Sequence, residues 1–442
     1  MDSVGKKSMK NQNQRAGLIQ RLRCSIQNYD WGKRGQDSQV ARLSAFNSGS
    51  GINPQKSYAE FWMGTHESGP SFLIRNSDEN NGFFPIGSQI ISLKDWISKN
   101  PNVLGEKVIQ KWGSDLPFLF KVLSVGKALS IQAHPDKDLA KILHKFMPNV
   151  YKDANHKPEM ALATTHFEAL CGFINLKELK VVLDNVPEIE ELVGSEEAKK
   201  VSGITDLDEE EKVKSALRSL FTHLMLASKE MITTVITKMK DRLHAESQAR
   251  LLFGKEQLVL QLVKQYPTDV GVISAFFLNH VKLNPGEALY IGANEPHAYI
   301  FGECVECMAT SDNVVRAGLT PKHMDVQTLC SMLSYKQGYP DILQGVAIGP
   351  YVTRYLPPFD EFEVDRCQLP QGESAEFPAV PGPSIFVVTF GEGIMYASNV
   401  QGDVITEGDV LFAPANTRIR ITGASELQIY RAGVSSMFFQ AS

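Results

Sequence analysis

Hydrophobic residues follow two spacings along this chain. From about residue 21 to residue 173 they come in short apolar runs, such as Phe72-Leu73-Ile74 and Phe118-Leu119-Phe120-Lys121-Val122-Leu123, separated by Gly, Pro and Asn. Runs of that length bounded by turn formers are those of β-strands. Residues 44–57, rich in Ser, Gly and Asn, predict a loop, and residues 93–97 and 138–146 predict short helices. Between residues 176 and 265 the spacing changes. Leu183, Val186, Ile189 and Leu192, and then Val213, Leu217, Leu220 and Leu224, recur every three or four residues, which places each set on one helix face. Gly203-Ile204-Thr205-Asp206 before Leu207-Asp208-Glu209-Glu210-Glu211 predicts a helix start, with carboxylates in the first turn where the helix dipole favours them. Those acids read as a solvated helix end. Strand spacing resumes at Val281 and continues to the end. The pattern predicts a mostly β protein with a helical insert, so the β unit flanking the insert is discontinuous.

At 442 residues the chain exceeds one ordinary core, and about 150 residues per domain suggests two or three. With 43% hydrophobic and 21% charged residues it is globular, and no apolar run approaches the ~20 residues of a membrane span, so no membrane partner is expected. Residues 1–17 are polar, carry Lys6, Lys7, Lys10 and Arg15 and lack the apolar centre of a signal peptide; they predict a disordered tail and a cytoplasmic protein. Six cysteines over such a length give no disulfide framework, and Cys304-Val305-Glu306-Cys307 lacks the second pair of a zinc knuckle, so the thiols are expected to be reduced and structural. A net charge of -5 without a basic block argues against a nucleic-acid partner. Any anionic ligand must be held by a local group of cations.

Four residues change the picture from a bland β protein to a metal enzyme. Gln132 and His134 are two apart on a predicted strand, so an amide oxygen and an imidazole can face one ion. Glu159 adds a negative charge and His297 a second imidazole. Nitrogen and oxygen donors without thiolate suit a catalytic zinc with an open position better than a closed structural site. The expectation is one Zn2+ per chain.

The run Tyr151-Lys152-Asp153-Ala154-Asn155-His156-Lys157-Pro158-Glu159 reproduces the signature Y-x-D-x-N-H-K-P-E of the type I phosphomannose isomerases. Asn28-Tyr29-Asp30-Trp31-Gly32, Ala59-Glu60-Phe61-Trp62-Met63-Gly64-Thr65-His66, Gln132-Ala133-His134-Pro135 and the block from Ser311 to Thr320 resemble that family in the family's order. The resemblance spans nearly the whole chain beyond its first ~15 residues, a tail too polar to fold. It implies a cupin-type β fold, a zinc requirement and interconversion of mannose 6-phosphate and fructose 6-phosphate through an enediolate. The reaction is expected to supply mannose phosphate for nucleotide-sugar (GDP-mannose) synthesis, the partner to be a small phosphosugar and the protein a monomer, although the sequence itself gives neither the oligomeric state nor the pathway.

The two later β regions contain an internal repeat. Gly286-Glu287-Ala288-Leu289-Tyr290-Ile291-Gly292-Ala293-Asn294 aligns with Gly408-Asp409-Val410-Leu411-Phe412-Ala413-Pro414-Ala415-Asn416, and both resemble the second cupin motif. The first copy keeps the metal-binding position as His297 but has Gly292 for the motif's Pro. The second keeps Pro414 and has Ile419 for the His. Two cupin-type barrels with an α-helical domain are therefore expected: a catalytic barrel from residues 18–175 with 266–330, a helical insert at 176–265, and a C-terminal barrel at 331–442 without metal.

Aldose–ketose isomerisation moves a proton between C2 and C1 and needs cations for the developing oxyanion and for the phosphate. Arg316 stands in the resembling block, which assigns it a catalytic role, and a guanidinium can fork two oxygens; the alternative is a structural salt bridge to Asp312 or Glu306. Lys157, two before Glu159, would face the same way in an extended segment. His156, Lys157, Glu306 and Asp312 are all eligible as the base, with Lys157 and Asp312 preferred. Lys322, Ser130, Glu306 and Lys137 are candidate substrate contacts. His66, His144, His166, His223, His244 and His280 are read as core or surface histidines, and Trp31, Trp62 and Tyr299 as core aromatics rather than a sugar platform. Two other readings compete: a ferrous cupin dioxygenase built on His134, His297 and Glu159, in which Gln132 would crowd the oxygen positions, and a non-enzymatic sugar-binding bicupin.

Overall fold

The structure is a computed structural model that describes residues 19–74, 91–205, 208–397 and 402–440. The tail expected at residues 1–17 lies outside them. Strands fill both ends of the described chain and helices its middle, as the spacing predicts.

The spine of the first β unit is the long strand His297–Ala309. Its second half pairs antiparallel with Phe118–Val125 on one edge, Gly302 opposite Val125 through Ala309 opposite Phe118, and with Glu159–Ala163 on the other. Its first half pairs with Phe167–Phe173 and, at His297, with Gln132 of Ile131–Ala133. All eight residues of Phe118–Val125 are buried, which explains a run apolar on both faces rather than alternating.

The helical segment runs from Leu176–Asn185 through Gly254–Gln265. The regular spacing of Leu183 to Leu192 predicts one continuous helix, but the structure breaks it into Leu176–Asn185 and Pro187–Val193. Pro187 has no N–H to give, and its ring pushes Val186 out of the helical region, to φ -125° and ψ 73°. The expected helix start becomes Glu210–Leu226, with Glu210 and Glu211 in its first turn; residues 206 and 207 lie outside the described chain. One expectation fails in part. Residues 44–48, read as loop, end the helix Gln39–Ser48. Ser38 caps it by accepting the Ala41 N–H, and Gly49 at φ 69° stops it. The polar composition of that stretch masked a cap signal lying just upstream.

The second β unit combines an eight-stranded sheet with a four-stranded one. Chain order does not bound it. Gln20–Arg23, the first strand of the described chain, pairs with Val410–Ala413, Gln20 opposite Phe412 and Leu22 opposite Val410. One apolar core accordingly runs across both units, joining Phe61, Phe120 and Val305 to Val364, Ile385 and Tyr430.

The sequence repeat is also a backbone repeat. Gly286 and Gly408 take φ +93° and +89°, and Asn294 and Asn416 take φ 64° and 62°. A positive φ is uncommon for a residue with a side chain, so the matched asparagines carry more weight than the glycines. His297 then opens one strand and Ile419 another, Ile419–Gly423. Ile419 is 2% exposed among Phe377, Phe386, Leu411 and Ile429.

Candidate metal centre

Strand pairing brings the predicted ligands together from distant parts of the chain. Glu159 opens its strand opposite Met308, while His297 and Arg316 are both direct partners of Gln132. Directly opposed residues on neighbouring antiparallel strands share a face, so Arg316, Gln132 and His297 form one row. His134 follows Ile131–Ala133. The ligand atoms of His134, Glu159 and His297 lie within 4.8 Å of one another, with exposures of 0%, 3% and 1%. Gln132 Oε1 accepts from Ser130 Oγ at 3.5 Å.

The hydrogen bonds behind the ligands set their tautomers. His134 Nδ1 lies 2.7 Å from the Asn313 carbonyl and His297 Nδ1 lies 3.0 Å from the Glu295 carbonyl. A carbonyl can only accept, so both protons sit on Nδ1, and both Nε2 lone pairs point inward. They face Glu159 at 3.4 Å from Oε1 and 3.2 Å from Oε2, yet both Nε2 atoms are buried without a hydrogen bond. Two lone pairs set against a buried carboxylate repel unless a cation lies between them. Burial pushes His134 down to about 4, so it is neutral near pH 7. Burial would raise the Glu159 carboxyl, but attraction to His134 in its protonated form and to the Lys157 ammonium outweighs it and holds it well below the usual range. A neutral His134 and an ionised Glu159 are protonation states that a divalent ion needs, and the donor set fits zinc.

The signature run has a structural use beyond supplying Glu159. Asp153 accepts from Ser311 Oγ and from the Asp312 N–H, each at 2.8 Å. Asn313 Nδ2 donates to the Asp153 and Asn155 carbonyls at 2.7 and 3.0 Å. The segment thereby clamps the loop whose Asn313 carbonyl orients His134. Tyr151 Oη donates to Asp325 Oδ2 at 2.8 Å.

Beside the centre lies a charged layer of which the sequence reading named only Glu306, as an eligible base or substrate contact, and missed the partners Lys121 and Glu60. Lys121, 6% exposed, sits 3.0 Å from Glu306 Oε2 and 3.3 Å from Glu60 Oε2. Trp62 Nε1 donates to Glu60 at 2.5 Å, and Tyr299 Oη to Glu306 at 2.9 Å. Burial would lower the Lys121 ammonium, but Glu306 and Glu60 outweigh it and raise its pKa. Burial raises Glu306, with Lys121 opposing. The available signal was a lysine inside the apolar run Phe118–Val125 and a glutamate between Ala59 and Phe61, since buried charges are kept only when paired.

The remaining candidates divide. Arg316 is half-buried, and among the described residues no carboxylate pairs with it; burial alone lowers its pKa. The expected alternative, a salt bridge to Asp312 or Glu306, is absent. Lys157 Nζ is 3.5 Å from Glu159 Oε1, on the same side as its neighbour two positions on. Asp312 is 3.2 Å from His66 Nε2. His156 is drawn away, its Nε2 2.8 Å from Glu361 Oε1 in the C-terminal unit. Lys322 and Lys137 are exposed and Ser130 partly buried. Trp62 and Tyr299 are core residues, while Trp31 stacks on Tyr29 at 5.8 Å. The cysteines are unpaired, and all but Cys24 are buried.

Comparison with known proteins places this arrangement. The family model "Phosphomannose isomerase type I, catalytic domain" matches residues 19–176 and "Phosphomannose isomerase type I, helical insertion domain" matches residues 192–278. The chain is 63% identical to mannose-6-phosphate isomerase 1 of Arabidopsis thaliana, covering 95% of each chain. It is 41% identical to the Homo sapiens mannose-6-phosphate isomerase over 93% of this chain and 97% of that one. Among solved structures, a mutant phosphomannose isomerase from Salmonella typhimurium superposes with a TM-score of 0.79 at 28% identity, covering 94% of this chain and 99% of that one. A mannose 6-phosphate isomerase bound with zinc and yttrium gives 0.77 at 27% identity with the same coverage.

Proposed function

Because this chain belongs to the type I phosphomannose isomerase family, we propose that it is a zinc-dependent isomerase interconverting mannose 6-phosphate and fructose 6-phosphate. The observation that carries the metal half of this reading is the pair of buried, unbonded Nε2 atoms of His134 and His297 facing the Glu159 carboxylate. Gln132, in the same row as His297, completes a ligand set of one amide, two imidazoles and one carboxylate. No helix among the described residues is long and apolar enough to cross a membrane; a small phosphosugar as substrate and a cytoplasmic address belong to the same proposal.

Zinc held there supplies a Lewis acid for the oxygen that becomes negative in the enediolate. The protein supplies the rest. Arg316, half-buried in the row of Gln132 and His297 and without a carboxylate partner among the described residues, offers its fork to oxygens of the substrate. Lys157 offers an N–H to a substrate oxygen next to Glu159. Asp312, whose pKa is lowered by contact with His66, is ionised at neutral pH and takes the proton moved between C2 and C1. Glu306 accepts from a sugar hydroxyl, and Lys322 with Ser130 holds the phosphate.

Metal analysis of the purified protein with a mannose 6-phosphate turnover assay tests both halves. We expect one zinc per chain, loss of turnover on chelation and recovery with added zinc. Full turnover by metal-free protein would remove the zinc assignment, and inertness of the zinc-loaded protein toward mannose 6-phosphate would remove the isomerase assignment.

A further inference from the structure

His66 follows the strand Glu60–Met63 and is 8% exposed. Its Nδ1 accepts the Ser68 N–H at 3.2 Å, so in the neutral ring the proton sits on Nε2. That nitrogen lies 3.2 Å from Asp312 Oδ1. This is the opposite tautomer to that of His134 and His297, which keep their protons on Nδ1 and turn lone pairs toward the ligand cluster. His66 is therefore built to present an N–H.

The ring is also held from behind. It packs edge-on against Trp62 at 5.0 Å and 86°, and Trp62 is fixed by its Nε1 bond to Glu60. Asp312 has the complementary problem. Its backbone N–H is anchored to Asp153 Oδ2 at 2.8 Å, but its side chain is 46% exposed, and among the described residues only His66 makes a side-chain contact with its carboxylate. Without that contact no side chain among the described residues would hold the carboxylate in one rotamer. Asp312 immediately precedes Asn313, whose carbonyl orients His134, so the anchored backbone places it beside the ligand cluster.

We propose that His66 is a positioning residue for Asp312, holding one carboxylate oxygen so that the other is aimed at the substrate. The proposal rests on the isomerase reading and on Asp312 as its base. The relay runs from Glu60 through Trp62 and His66 to Asp312, and it explains a buried histidine that takes no part in metal binding.

Two measurements separate this proposal from the reading beneath it. In zinc-loaded protein, His66→Ala should lower kcat about 10-fold with KM changed less than about 2-fold, the cost of a misplaced catalytic group. His66→Gln, whose amide can present an N–H, should recover most of the loss. In an Asp312→Asn background, His66→Ala should cost no more than about 2-fold further. Equal impairment of the Ala and Gln variants, or losses that multiply independently of Asp312, would overturn the proposal. If His66→Ala does not fold, the comparison of His66→Gln with His66→Phe decides, since only the former keeps a donor. Nitrogen-15 NMR of the imidazoles provides the readout independent of activity: His66 should show protonated Nε2 and bare Nδ1, and the reverse tautomer would overturn the proposal. Failure of the wild type to convert mannose 6-phosphate would instead sink the isomerase reading and leave the tautomer result standing on its own.

Discussion

His134 and His297, contributed from opposite sides of the helical segment, stand with ring centroids 5.0 Å apart and planes inclined by 52°. Each gives its Nδ1 proton to a backbone carbonyl. Those carbonyls leave only Nε2 free for a ligand, so the backbone rather than the imidazoles chooses which nitrogen binds.

His297→Ala should reduce zinc content and turnover more than Gln132→Ala does. Imidazole is the stronger zinc donor, and water replaces an amide oxygen more readily. Zinc stoichiometry after dialysis, measured beside kcat, checks this. A Gln132→Ala protein poorer in zinc than His297→Ala would reverse the ranking.

Arg316→Ala should depress kcat by about 10²–10³, because a guanidinium sharing charge with the forming enediolate binds it better than the ground state. Lys322→Ala should chiefly raise KM, since an exposed ammonium on a remote phosphate serves both states alike. Arg316→Lys should stay well below wild type, having kept the charge and lost the fork. Steady-state kinetics distinguishes these. An effect of Arg316→Ala on KM alone would make Arg316 a phosphate clamp.

Ile419→Ala should destabilise the protein by roughly 2–5 kcal/mol, the usual cost of truncating a buried aliphatic side chain, while the folded fraction keeps its turnover per zinc. The expectation follows from Ile419 standing 2% exposed where the repeat has its metal-binding histidine. Denaturant unfolding with activity per folded molecule measures both. Stoichiometric metal near Ile419 in a crystal would contradict it.

Glu168 gives an acid-stability prediction. Its carboxyl is lowered to about 2 from 4.5, first by the bond from His280, 2.7 Å away, with burial opposing and His166 assisting. A depressed carboxylate pKa contributes stability that is complete above the unfolded value and is lost as pH falls through the folded one. The window is therefore pH 4.5 down to 2. Glu168→Gln should lower stability by about 1–2 kcal/mol above pH 5, after a discount for its partial exposure. The difference from wild type should vanish toward pH 2. A constant difference across that range would show that Glu168 acts through packing.

Legibility in the sequence followed the range of each interaction. Glu159 and Lys157 share a short extended run, and His134 directly follows the strand that holds Gln132, so local alternation was enough to nominate each pair. The helix boundary at residue 186 went unread, because the apolar spacing runs on across it, although its cause is local: Pro187 acts on its immediate neighbour. The roles of Asp153 and Asn155 were not legible. They bind Ser311, Asp312 and Asn313, partners that are neighbours only in the folded chain.

By itself, then, the sequence determined the alternation of strand and helical segments, the donor types and the presence of Ile419 where the other copy of the repeat has His297, because these depend on side-chain chemistry and local spacing. Tertiary structure alone decided that Lys121 sits between Glu60 and Glu306, that His156 turns to Glu361 while His66 turns to Asp312, and that the first strand, Gln20–Arg23, joins the C-terminal sheet. The physical reason is that a titratable side chain has several possible partners of similar strength, and strand register, fixed by burying apolar faces across the whole molecule, selects which one comes within reach.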